Sequence, residues 1–128
     1  MNPEIKAKWL AALRSGEYQQ GQNWLKNGKG GFCCLGVLCD LYRKEIGKGG
    51  WEIYYESRIF TLDDAKAPYY PPTRVIDWAG LGESWEALNK IRITIDGTEN
   101  SLAEHNDQGK TFSQIADAIE DQIPGDEE

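Results

Sequence analysis

Apolar residues along this 128-residue chain recur at helical spacing near both ends and at strand spacing between them. Ile5, Trp9, Ala12 and Leu13 fall at i, i+4, i+7 and i+8, and Asn2-Pro3 supplies a capping side chain followed by proline at the first helical position. This predicts an amphipathic first helix ending at Ser15-Gly16, where glycine suits the left-handed turn of a helix C-terminus. Trp24 and Leu25 predict a short second helix. The block Gly31-Phe32-Cys33-Cys34-Leu35-Gly36-Val37-Leu38-Cys39-Asp40-Leu41-Tyr42 is apolar almost throughout and predicts the central buried helix, bracketed by the glycine turns at 27–31 and 47–50.

Beyond Gly50 the period changes. Trp51, Ile53 and Tyr55 alternate with Glu52, Tyr54 and Glu56, the signature of a half-buried strand, with Arg58 and Phe60 continuing it or pairing back. Pro68-Tyr69-Tyr70-Pro71-Pro72 enforces extended backbone, after which Thr73 is positioned to cap a short helix running to Gly80. Ile91-Arg92-Ile93-Thr94-Ile95-Asp96 is the cleanest strand pattern, and Asp96-Gly97 signals a hairpin. Ser101 with Glu104, and Thr111 with Gln114, match the capping box. The last helix follows, with Ile115, Ala116, Ile119 and Ile123 as its inner stripe, until Pro124-Gly125. The expected architecture is α+β: N-terminal helices and a buried cysteine-rich helix packed on a small antiparallel sheet, with a C-terminal amphipathic helix. Residues 1–123 read as a single compact domain and 124–128 as an acidic tail.

Composition narrows the functional classes. Hydrophobic residues make up 40% of the chain and include five tryptophans, too many for a disordered polypeptide. No basic segment precedes an apolar run at the N-terminus, and no run approaches the ~20 apolar residues of a membrane helix, so neither secretion nor membrane insertion is expected. Three cysteines at i, i+1 and i+6 match no zinc, haem or redox spacing and cannot form a conventional disulfide framework; a reducing, cytoplasmic setting follows.

The net charge of −7 is unevenly placed: residues 1–95 carry 13 basic and 11 acidic side chains, whereas residues 96–128 carry 1 and 10. Duplex nucleic acid is therefore an unsuitable partner. An acidic C-terminal third suits solubility, a basic protein partner, or mimicry of nucleic acid.

His105 is the single histidine, which excludes a multi-histidine metal site, and it reads as a surface or capping residue. The thiols lie in an apolar run rather than the exposed, electropositive setting of a nucleophile. No cofactor or metal site is expected, and no catalytic residue is assigned.

Two candidate binding features remain. Asn106-Asp107-Gln108-Gly109-Lys110-Thr111 leads into a helix N-terminus and reads either as an anion-receiving turn or as a plain capped turn. Trp51, Tyr54, Tyr55, Tyr69, Tyr70 and Trp85 offer flat faces, and Arg58, Arg74 and Arg92 offer cationic forks, groups that stack a base and hold phosphate oxygens. The candidate ligand-binding set is Trp51, Tyr54, Arg58, Arg92, Asn106 and Lys110.

Arg14-Ser15-Gly16-Glu17-Tyr18 with Gln20-Gly21, the cysteine block, Trp78-Ala79-Gly80-Leu81, and Asn106-Asp107 with Gly109 and Phe112-Ser113-Gln114-Ile115-Ala116 resemble a family of small phage- and prophage-encoded proteins. The resemblance covers nearly the whole chain; His105 departs from it where an apolar residue is expected. The mixed architecture is similar to that of the Thoeris anti-defence sponges, which sequester nucleotide-derived immune signals without degrading them. That likeness implies a homo-oligomer holding a cyclic ADP-ribose isomer or a cyclic oligonucleotide where protomers meet. No motif assigns ligand residues by position. The alternative is an inhibitor that presents the acidic third to a basic host defence protein.

Overall fold

The computed structural model describes residues 1–125; residues 126–128, the end of the expected acidic tail, lie outside the described residues. The core is organised around helix α2 (Cys34–Ile46), whose residues from Cys34 through Asp40 are all buried, as is Tyr42. Helix α1 (Pro3–Arg14) packs on α2 and on the C-terminal helix α6 (Phe112–Gln122). Asn2 caps α1 as expected, its side chain accepting from the Glu4 and Ile5 N–H groups. Trp9 is fully buried between the helices and donates its indole N–H to the Cys34 carbonyl (2.9 Å).

The strands form two antiparallel sheets rather than one. Strand β3 (Ser57–Leu62) is central in the larger sheet: β2 (Gly50–Tyr54) takes one edge, while β1 (Lys26–Asn27) and β4 (Ala65–Ala67) share the other. The smaller sheet is the hairpin β5 (Arg92–Ile95) and β6 (Thr98–Ser101), laid against α6. Asp96 and Gly97 both adopt positive φ, 53° and 81°, as the two central residues of a type I′ turn require.

Short helices α3 (Thr73–Ala79), α4 (Trp85–Asn89) and α5 (Leu102–Asp107) complete the fold. Thr111 and Gln114 make the reciprocal capping box at α6. At α5, Ser101 accepts from the Glu104 N–H, and its hydroxyl meets the Glu104 carboxylate (3.1 Å).

Beyond the division into two sheets, four expectations about single segments and residues are corrected. Trp24-Leu25 is not helical; Leu25 is fully buried and leads into β1, because the chain there is tied to Pro68 and Cys33 by backbone hydrogen bonds. In β2 the alternation marks a covered face only at Trp51, which packs against the core: Ile53 is 77% exposed because β2 is an outer strand and the buried strand is its neighbour β3, and Tyr55, 84% exposed, lies beyond β2 in the turn to β3 at φ 55°. Thr73 does not cap α3; the capping position is Pro72, without a side-chain hydrogen bond.

His105 is the fourth correction, being fully buried rather than superficial. Its Nε2 lies 2.7 Å from the Ile93 carbonyl, which assigns the proton to Nε2 and leaves Nδ1 without a partner. Burial at this position agrees with the apolar residue expected there.

Candidate functional site

A cluster of cations and aromatic rings forms where β1, β2 and β3 meet the C-terminal half of α2. Its base is Asp40, a buried carboxylate on α2. One oxygen accepts from Arg43 Nε (2.9 Å) and Trp51 Nε1 (3.0 Å), and the other from the Tyr18 hydroxyl (2.7 Å), with Lys44 Nζ 3.6 Å away. Burial alone would raise the Asp40 pKa, but the hydrogen bonds from Arg43, Tyr18 and Trp51, with the Arg43 charge, outweigh it and hold the group below its ordinary value. Asp40 therefore fixes the Trp51 and Tyr18 rings and occupies two cations.

Above that base runs a chain of edge-to-face rings. Tyr18, Phe32, Trp51 and Phe60 follow one another at centroid separations of 5.0, 5.6 and 5.0 Å. Lys26 extends its ammonium over two of them, 4.8 Å from the Phe32 centroid and 5.5 Å from that of Trp51. Among the described residues it forms neither an ion pair nor a hydrogen bond through that ammonium. Burial lowers its pKa, and the charges of Arg58 and Arg43 push the same way against the opposing pull of Asp40.

Arg58 stands directly across the ladder from Lys26, and directly opposed residues project from the same face of a sheet. Its only side-chain hydrogen bond among the described residues runs from Nη1 to the Ser57 carbonyl (3.1 Å), and it forms no ion pair among them. Lys26, Arg43, Lys44 and Arg58 thus outnumber the single carboxylate in a protein whose net charge is −7.

A family model with the description Domain of unknown function (DUF8296) matches residues 1–123. The chain belongs to the DUF8296 family. No curated protein and no solved structure matches it.

Of the six candidate residues in this DUF8296 domain, the fold brings only Trp51 and Arg58 into this cluster, while Asn106 and the Lys110 carbonyl share the Gln20 amide elsewhere. Tyr54 projects from the other face of β2, opposite Ser57, and packs edge-on against Tyr55 (4.8 Å). Arg92 lies on the hairpin sheet near Glu104 (3.8 Å), and Lys110 meets Asp96 (3.4 Å). Asn106 is fully buried: its oxygen accepts from Gln20 Nε2 (2.9 Å) and the Cys34 N–H (3.2 Å), and its amide donates to the Gly21 carbonyl (2.8 Å). That amide is spent on joining the N-terminal loop to α2 and α5.

Two of the glycine-containing turns, 106–114 and 27–31, offer no free anion donors where the structure gives their bonds. At 106–114 the N–H groups of Gly109, Lys110, Thr111, Phe112 and Gln114 all have acceptors, which favours the capped-turn reading. In the 27–31 turn, the Asn27 side chain accepts from Lys29 and Gly31, while the N–H groups of Gly28 and Gly30 reach the Glu56 and Asn27 carbonyls.

Sequence reasoning missed Lys26, Asp40, Tyr18 and Phe32. Lys26 was hidden by the helical reading of its neighbours. The one available signal for Asp40 was a lone acid inside an otherwise apolar helix.

The cysteines are all free and buried. Cys33 occupies the N-cap of α2, its sulfur accepting from the Gly36 N–H, and burial pushes its pKa up to about 12. Burial likewise raises Cys34 and Cys39 well above the ordinary thiol value. Thiolate chemistry is thereby suppressed. Among the described residues no helix is long and apolar enough to cross a membrane.

Proposed function

We propose that this DUF8296 protein is a phage anti-defence protein that binds and sequesters a phosphorylated, nucleotide-derived immune signal without cleaving it. The ligand classes in view are a cyclic ADP-ribose isomer and a cyclic oligonucleotide. The observation that carries the reading is the cross-strand pair of Lys26 and Arg58, without carboxylate partners among the described residues and set on a row of fixed aromatic rings in an acidic protein. Placing two like charges opposite each other on a ladder opposes folding. An anionic ligand reverses that penalty, and half-buried Trp51 beside the pair suits a nucleobase, while buried Phe32 and Phe60 hold that ring in place. Buried, high-pKa thiols fit capture better than turnover.

Incubating the full chain with candidate signals, removing unbound material and heating to release the cargo tests the proposal. Intact recovery supports capture. Absence of uptake, or recovery of a cleaved product, rejects it.

A second reading rests on a groove of about 300 Å³ between β5 and α6, lined by Asp96, Asp117 and Asp121 among others. Such a groove could take a basic side chain of a host protein. Arg14 already pairs with Asp117 and Glu120 (both 2.7 Å), which reduces the charge that α6 presents. Charge reversal at Asp117, Glu120 and Asp121 that left partner binding unchanged would reject this reading.

A further inference from the structure

We infer that Lys26 and Arg58 form a divided cation pair that takes the two phosphate groups of a diphosphate, one on each side chain, in preference to a single phosphate. The inference rests on the nucleotide-binding reading and specifies which anion the site selects.

Four cations lie in the cluster, but they are not equivalent. Asp40 engages Arg43 and Lys44 at 2.9 and 3.6 Å, and among the described residues no carboxylate engages Lys26 or Arg58. The two cations without an ion-pair partner therefore share one sheet face, their backbones registered directly across the ladder, and Asp40 acts on Lys26 only at longer range.

Their charged ends have different anchors. The Lys26 ammonium is drawn over the Phe32 and Trp51 rings, in the direction of α2. The Arg58 guanidinium is tied to its own strand through the Ser57 carbonyl, close to Gly28: a Cβ built on that glycine would meet Arg58 Nη1 at 3.6 Å. A diphosphate offers each head its own phosphate, the ammonium beside the Phe32 and Trp51 rings and the guanidinium beside Gly28, and its extra negative charge relative to one phosphate offsets the mutual repulsion of the pair. Beside Arg58 on the same face, exposed Ile53 adds an apolar wall for the group that the diphosphate carries.

Calorimetric titration of the full chain at low ionic strength with inorganic pyrophosphate, orthophosphate, ADP and AMP tests this. Pyrophosphate and ADP are expected to bind roughly tenfold or more tightly than orthophosphate and AMP, the scale of one added charge-assisted contact. Lys26→Gln and Arg58→Gln should each abolish that preference, while Lys48→Gln, which removes an exposed lysine outside the cluster, should retain it. Circular dichroism of each variant establishes that the fold persists. Equal binding of ADP and AMP, or a diphosphate preference that survives both substitutions, overturns the divided pair while leaving nucleotide binding standing. Failure of all four probes, together with no uptake of candidate signals, overturns both.

Discussion

Gly36→Ala is the substitution that most directly tests how the fold builds the cationic cluster. Inside an exposed helix, exchanging glycine for alanine gains about 1 kcal/mol. Here a Cβ would stand 1.9 Å from the Leu25 carbonyl oxygen and 2.8 Å from its carbon, so the Leu25 segment would have to retreat by more than an ångström to reach the 3.0 Å that real Cβ contacts respect. That segment is held from several directions: Leu25 N–H donates to Pro68 O (2.9 Å), Cys33 N–H to Leu25 O (3.1 Å), and Asn27 N–H to Gly31 O (2.8 Å). Overpacking of this kind costs about 1–3 kcal/mol, and loss of one buried hydrogen bond about 1 kcal/mol more.

Set against the helical gain, the net expectation is a loss of about 2 kcal/mol. For a domain of this size that corresponds to a fall in Tm of roughly 8 °C. Lys26 follows Leu25 directly, so displacement should also draw its ammonium off the Phe32 and Trp51 rings and weaken diphosphate binding several-fold. Thermal and urea unfolding followed by circular dichroism measure the first effect, and calorimetry the second. A variant as stable as the parent, or more so, would refute the close approach of α2 to the strand that carries Lys26.

Asp40→Asn should lower stability at neutral pH by ~2 kcal/mol, the scale of a hydrogen-bonded charge, and flatten the acid limb of the stability profile. Because the native Asp40 pKa lies below the model-compound value of 3.8, its contribution is present above that pH and lost as pH falls through the native value; urea midpoints from pH 2 to 7 test this. In the absence of ligand, Arg58→Met should stabilise the fold by ~0.2–1 kcal/mol through relief of like-charge opposition. A double-mutant cycle with Lys26→Met should then return an unfavourable Lys26–Arg58 coupling, and a favourable value would contradict the argument. The three thiols should resist an aromatic disulfide reagent at pH 8 in the native protein and react in denaturant; fast labelling of the native chain would contradict their burial.

The chemistry of the site was legible only in part. Trp51 and Arg58 were identifiable as residue types that hold nucleotides, and both lie in the cluster. Nothing local distinguished Arg58 from Arg92, or Trp51 from Tyr54. Pairing between distant segments separates them: registry with β1 gives Arg58 a second cation, whereas Arg92 lies near Glu104 and strand alternation turns Tyr54 to the opposite face. Asn106 illustrates a related limit, since a polar residue before a glycine turn reads as exposed. Only the arrival of Gln20, Gly21 and Cys34 from far along the chain makes it a buried structural joint.

By itself the sequence determined the features whose causes are local: the Asn2 cap and periodic stripe of α1, the apolar run of α2, the Asp96-Gly97 turn, and the Thr111–Gln114 box that opens α6. Such features depend on dihedral preferences and on hydrogen bonds within a few residues, and these are present in any short stretch of chain. Tertiary structure decided which surfaces are covered. It left Ile53 and Tyr55 outside, enclosed His105, drew Leu25 into a strand against Gly36, and set Lys26 opposite Arg58 over the rings that Asp40 holds. Burial and strand pairing are properties of segments brought together from far apart, so their outcome follows from packing the whole chain rather than from the pattern of any one piece.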